Sequence, residues 1–124
     1  MAILIDSDVL IEVSRGRDRN LLSKWSELGD SDQALLCSPV TVAELWHGAR
    51  PEEYAVLDAL FAVLACVPID AEIGRLAGDY LREFAKSQGV ELGDALIGAT
   101  ATAHRVALWT RNRKHYPMRG LKFY

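Results

Sequence analysis

The run Ala2-Ile3-Leu4-Ile5-Asp6-Ser7-Asp8-Val9-Leu10 begins as four unbroken apolar residues, which meet two acids within the next three positions. A continuous apolar stretch of this length reads as a strand buried on both faces, as in the interior of a parallel sheet. In open α/β sheets, ligands bind beyond the carboxyl ends of the strands. Asp6 therefore stands where such a fold would place a site. A local reading stays open, in which Asp6 and Asp8 form an Asx-turn and a helix N-cap. Val9 to Val13 reads as the first turn or two of a helix.

Working outward, the pattern repeats. Asp18 to Leu28 has helical spacing through Leu21, Leu22, Trp25 and Leu28, and Gly29-Asp30-Ser31-Asp32 ends it. Ala34 to Cys37 is a second buried strand, closed by Ser38-Pro39. Helices are expected over Val42 to Ala49 and Glu52 to Leu64, followed by a short strand, Cys66 to Ile69, whose Pro68 suggests an edge position. Ala71 to Ser87 carries a clean helical period through Ile73, Leu76, Ala77, Tyr80 and Phe84. Leu92 to His104 is rich in Ala, Gly and Thr, the makeup of a helix packed closely on a neighbour. Val106 to Thr110 reads as the last core strand, and Leu121 to Tyr124 as a further short one. Apolar strands alternating with helices imply an α/β fold with a mostly parallel sheet, and 124 residues have room for one domain, 1–124.

A chain of this size buries roughly two thirds of its unfolded surface, enough for a core without disulfides. Cys37 and Cys66 stand singly in apolar runs and are expected as buried, reduced thiols. No charged start leads into a signal-like apolar stretch, and no run approaches the ~18 apolar residues of a membrane span, so the expected compartment is the cytoplasm. The net charge of −3 hides an asymmetry. Residues 1–94 hold all 17 acids against 8 Lys and Arg, a net of −9, whereas residues 95–124 hold 6 Lys and Arg and no acid, a net of +6. Phosphate binding needs local positive charge, which the total does not measure. A basic tail balancing an acidic body is the plainer account.

Three acids fall at comparable places in the pattern. Asp6 follows the first strand, Glu44 lies in the first turn of the helix after the second, and Asp94 opens the helix after Gly89. Each also has a local explanation: Thr41 to Glu44 fits a capping box, and Asp94 suits a helix N-terminus. Taken together these explanations weaken, because a buried run has no need of a charge at Asp6, and Asp94 precedes a nearly all-apolar helix. Clustered carboxylates raise one another's pKa unless a cation neutralises them, and hard oxygen ligands suit Mg²⁺ or Mn²⁺. Carboxylates with a basic flank suggest phosphodiester hydrolysis. Glu44-Leu45-Trp46-His47 is an E-x-x-H pair, but a di-iron bundle needs a second pair, and none exists. Neither Gly-x-Ser-x-Gly nor a P-loop is present.

The motifs also carry a resemblance. Ile3 to Ile11 resembles the opening motif of PIN domains, in particular the VapC toxins of bacterial toxin–antitoxin pairs. Ser38 to Leu45 with His47-Gly48-Ala49 resembles their second motif, Gly93 to Ala101 their third and Leu108-Trp109-Thr110-Arg111-Asn112 their fourth, in order over nearly the whole chain. The resemblance implies a three-layer α/β/α fold and a Mg²⁺- or Mn²⁺-dependent endoribonuclease. It also implies a homodimer held in check by a small antitoxin protein. Carried over by position, Asp6, Glu44 and Asp94 form the acidic metal site. Asp6 and Asp94 are then direct ligands, and Glu44 binds the ion or positions the attacking water.

The fourth motif departs from the pattern. Many relatives carry an acid a few residues past the threonine, where this chain reads Arg111-Asn112-Arg113-Lys114-His115. Asn112 is left to hold a water or a weak second ion. His115 is left to ligate a metal, contact a phosphate or simply pack. Asp8 can supply a missing oxygen, with N-capping the plainer role. One firm ion and at most one weak ion are expected. Arg111, Arg113 and Lys114 are expected at the groove edge against RNA phosphates, which position the strand without reading sequence. Trp25, Trp46 and Trp109 fall on apolar stripes and are expected in the core. The rival from another class is a catalytically silent PIN-like module that binds RNA or protein.

Overall fold

The computed structural model describes residues 1–124. Four strands, β1 (Ala2–Ile5), β2 (Ala34–Cys37), β3 (Ala65–Cys66) and β4 (Ala107–Trp109), form one parallel sheet in the order β3-β2-β1-β4. The helices are α1 (Ser7–Arg15), α2 (Arg19–Gly29), α3 (Pro39–His47), α4 (Tyr54–Ala62), α5 (Ala71–Gln88) and α6 (Leu92–His104).

The period of two along each strand separates the layers. Leu4 and Leu108 pack with α5 and α6, together with Ile73, Phe84 and Ile97. Ile3, Ile5 and Trp109 pack on the other face with residues of α1 to α4, among them Leu10, Leu28, Leu45 and Leu60. Leu4, Ile5 and Leu108 are fully buried, each contributing about 1.5–3 kcal/mol of burial. The result is the expected three-layer α/β/α arrangement. Trp109 is in the core, and Trp25 and Trp46 pack against it from partly buried positions.

The order of strand addition reverses at β1: β2 and β3 lie to one side of it and β4 to the other, all running parallel. That is the topological switch point at which open parallel sheets leave a crevice beyond the strand ends. Asp6 and Thr110 follow the two strands that flank it, and the Asp6 amide donates to the Trp109 carbonyl at 2.9 Å, continuing the ladder to the rim.

Several local readings are corrected. Helix α3 begins at Pro39 because Ser38 takes the N-cap, its hydroxyl oxygen accepting from the Val40 amide at 3.1 Å. A capping box at Thr41 to Glu44 is thereby pre-empted. Strand β3 is Ala65–Cys66 at the sheet edge, sharing only Cys66 with the expected Cys66 to Ile69 and ending before Pro68, and it leaves Cys66 exposed beside the buried Cys37. Ala34 at the start of β2 is exposed, since the short β3 and the helices leave that end uncovered. The expected C-terminal strand is a single parallel bridge between Phe123 and Leu108.

Candidate active site

Asp6 is built into the fold. It is the N-cap of α1 and is only 8% exposed. Its Oδ1 accepts from the Ser7 amide at 2.7 Å, and its Oδ2 accepts from the Thr110 hydroxyl and the Tyr116 hydroxyl, each at 2.8 Å. Tyr116 reaches this position because α6 is smooth beneath it. A Cβ at Gly98 would come within 3.1–3.2 Å of Met118 and 3.7 Å of the Tyr116 ring. Burial and the charge of Asp6 push the Tyr116 phenol above its ordinary pKa, so it stays a donor.

The next acids are set by this frame. Ser7 Oγ lies 2.8 Å from Glu44 Oε1 and 3.0 Å from Thr41 Oγ1, coupling α1 to α3. Asp8, one residue into the helix, is not the cap. Its Oδ2 accepts from the Arg111 amide at 3.0 Å, and its Oδ1 is buried without any partner. Burial first, and then the charge of Asp6, raise the Asp8 carboxyl to about 6. Asp94 stands across the cleft in the first turn of α6, accepting from the Glu91 amide at 3.3 Å. Its pKa is also raised, mainly by burial.

These side chains line one open cleft of about 310 Å³ with Glu91, Asn112 and His115. Five carboxylates facing one space, with an orphaned buried carboxylate oxygen among them, fit a hard divalent cation. No three His, Cys, Asp or Glu side chains close tightly enough to hold an ion among themselves. One or two carboxylates completed by water is the mode that a small, strongly hydrated ion prefers.

The structure thus brings Asp6, Glu44 and Asp94 together with Asp8, Asn112 and His115. His115 does not pack: its side chain is 49% exposed, with Nδ1 3.9 Å from Asp94 Oδ1. Its Nε2 is 3.0 Å from the Asn112 amide nitrogen. The basic residues divide. Arg111 turns away to Glu12 at 3.4 Å and Asp18 at 3.6 Å, and Arg113 lies over the Phe123 ring at 4.9 Å. Lys114 is exposed. Arg111 is therefore a tether more than a free phosphate contact. Sequence reasoning missed Ser7, Glu12, Glu91 and Tyr116. Glu12 had a signal, an acid on the apolar stripe of α1, where it is buried against Arg17 and Arg111. Tyr116 had none, because 110 positions separate it from Asp6.

Comparison with known proteins gives the family and the fold. The family model of the PIN domain matches residues 3–121. The chain is similar to ribonuclease VapC10 of Mycobacterium tuberculosis, at 39% identity over 121 residues covering 94% of this chain and 86% of that protein. Among solved structures, the toxin–antitoxin complex from Klebsiella pneumoniae aligns at 26% identity and a TM-score of 0.73, covering 95% of this chain and 92% of that one. The VapBC2 structure from Rickettsia felis reaches a TM-score of 0.84 at 19% identity, over 100% of this chain and 98% of that one, a likeness of fold.

Proposed function

The chain belongs to the PIN-domain family, and from that premise we propose that it is an endoribonuclease of the VapC type that hydrolyses RNA phosphodiester bonds with a divalent cation, Mg²⁺ or Mn²⁺. The observation that carries the reading is the convergence of Asp6, Asp8, Glu44 and Asp94 on one cleft at the switch point of the sheet. A silent binding module would have no use for that concentration of like charge.

Asp6 and Asp94 are the direct ligands in this reading, with the unpartnered Asp8 oxygen as an auxiliary. When bound, the cation supplies Lewis acidity, lowering the pKa of a water and offsetting charge on the phosphodiester. Glu44 is fixed at one oxygen by Ser7, which leaves the other to orient the attacking water and take up its proton. Asp6 is held in one rotamer by its three donors, so little reorganisation is needed on binding. Lys114 contributes charge to hold the RNA backbone, with Arg113 beside it.

We read residues 1–124 as one such domain, acting in the cytoplasm as a homodimer and silenced by a small antitoxin protein. The relatives' toxin–antitoxin complexes support that partner. No helix is long and apolar enough to cross a membrane. The test is cleavage of a pool of structured RNAs by the purified protein with Mg²⁺ or Mn²⁺, with EDTA, and with Asp6→Ala. Cuts that need the ion and vanish in the variant support the enzyme. An antitoxin-free, folded protein that cuts no RNA would leave the binding module.

A further inference from the structure

Five of the side chains lining the cleft are carboxylates, and His115 brings the one imidazole. It sits on a short 3-10 turn, Arg113–His115, beyond β4, and faces Asp94 from the opposite wall. We propose that His115 is a nitrogen ligand of the bound cation, paired with Asp94, and that it shifts the site's preference from Mg²⁺ to a first-row transition ion such as Mn²⁺. The inference rests on the reading of the cleft as a divalent-ion nuclease site.

Three observations support it. First, the imidazole is half-exposed, and its Nδ1 lies 3.9 Å from Asp94 Oδ1, beyond hydrogen-bond distance. Two donors each about 2.0–2.2 Å from one ion stand roughly 3 to 4.3 Å apart, depending on their angle, so a small side-chain shift brings both groups onto one ion. Second, the far nitrogen of the ring is already engaged. Nε2 lies 3.0 Å from the Asn112 amide, which by a half-turn presents its oxygen to an Nε2 proton. A ligating histidine ordinarily gives its other N–H to such an acceptor, which fixes the tautomer and aims the free lone pair. Third, this support is tied to the acidic frame. The Asn112 backbone amide donates to Thr110 Oγ1 at 3.1 Å, and the same hydroxyl donates to Asp6.

The consequence follows from ligand chemistry. Carboxylate and water satisfy Mg²⁺, and an imidazole adds little for so hard an ion. For first-row transition ions a nitrogen donor adds affinity, in the order Mn²⁺ below Fe²⁺ below Co²⁺.

The experiment uses the metal-stripped, full-length protein without RNA. Mn²⁺ binding is titrated by electron paramagnetic resonance, Mg²⁺ affinity is measured by competition, and the bound Mn²⁺ is probed for spin-echo modulation by directly bonded ¹⁴N. The wild type should show nitrogen modulation and hold Mn²⁺ about tenfold or more tightly over Mg²⁺. His115→Asp should bind Mn²⁺ without the nitrogen signal and with most of that preference gone. His115→Ala, checked for folding by thermal melting, should lose the nitrogen signal as well. Mn²⁺ bound with no nitrogen coupling in the wild type, or coupling that survives in His115→Asp, overturns the assignment and leaves the nuclease reading intact. Absence of any Mn²⁺ binding overturns both.

Discussion

Asp6 and Asp94 carry the same charge into the same cleft, but the fold holds them in opposite ways. Asp6 ends a central strand and is nearly inaccessible, with three donors at 2.7–2.8 Å. Asp94 sits on a helix turn with one backbone donor at 3.3 Å and a histidine at 3.9 Å. The first carboxylate is part of the architecture, and its removal orphans a buried amide and two buried hydroxyls. The second is merely placed, and the fold asks little of it. A site assembled from both types has one wall that fixes position and one that adjusts to a ligand.

The largest effect expected is at Asp6. Asp6→Ala should lower RNA cleavage by at least ~10³-fold, about 4 kcal/mol of barrier, and should also cost about 2–5 kcal/mol of stability through the stranded donors. Asp94→Asn should lower cleavage by ~10²- to 10³-fold while leaving the melting temperature within a few degrees of the wild type. Equal losses of stability in the two variants would erase the contrast.

A pH experiment sharpens it. The Asp8 carboxyl rises from 3.8 to about 6 on folding, so between those values the native state binds more protons than the unfolded chain. Stability without added metal should therefore fall as pH rises from about 4 to about 6, then level off. Asp94 shifts in the same direction and adds to the slope. In Asp8→Asn, thermal melts across this range should show a flatter profile and greater stability at neutral pH. An unchanged slope would mean that Asp8 is not strained by its neighbours.

Smaller effects are expected further from the reacting groups. Tyr116→Phe removes one of the two hydroxyls on Asp6 Oδ2. It should cost about 1–2 kcal/mol in denaturant unfolding, with cleavage lowered severalfold. Lys114→Ala should weaken RNA binding only a few-fold and reduce the salt slope by about 0.7, the share of one phosphate contact on a single strand. A larger effect at Lys114 than at Tyr116 would move the weight of the site from the acidic frame to its rim.

Much of this is legible in the sequence. The alternation of apolar runs with helical periods implied the parallel sheet, and the acids at strand ends and first turns marked the cleft. Asp8 was harder to read, because capping and site-facing positions differ by one residue in a helix turn and Ser7 lies between them. The roles of Arg111 and His115 were open for a different reason. A flexible side chain chooses among nearby partners, and Arg111 found Glu12 and Asp18. Cys66 was expected inside because its neighbours in sequence are apolar, but a two-residue edge strand has no element beyond it.

The sequence by itself determined the alternation of buried strands with helices, the burial of the strand ending at Asp6 and the placement of Asp6, Glu44 and Asp94 at a strand end and first helical turns. Those features come from periodicity, which acts over a few residues and leaves a local signature. The tertiary structure alone decided that Tyr116 and Thr110 would clamp Asp6, that an oxygen of Asp8 would be buried without a partner, and that His115 would face Asp94. Each of these joins residues set at fixed distances by the packing of β4 and α6 against β1. No run of neighbouring residues records that geometry, because it is a property of the closed core.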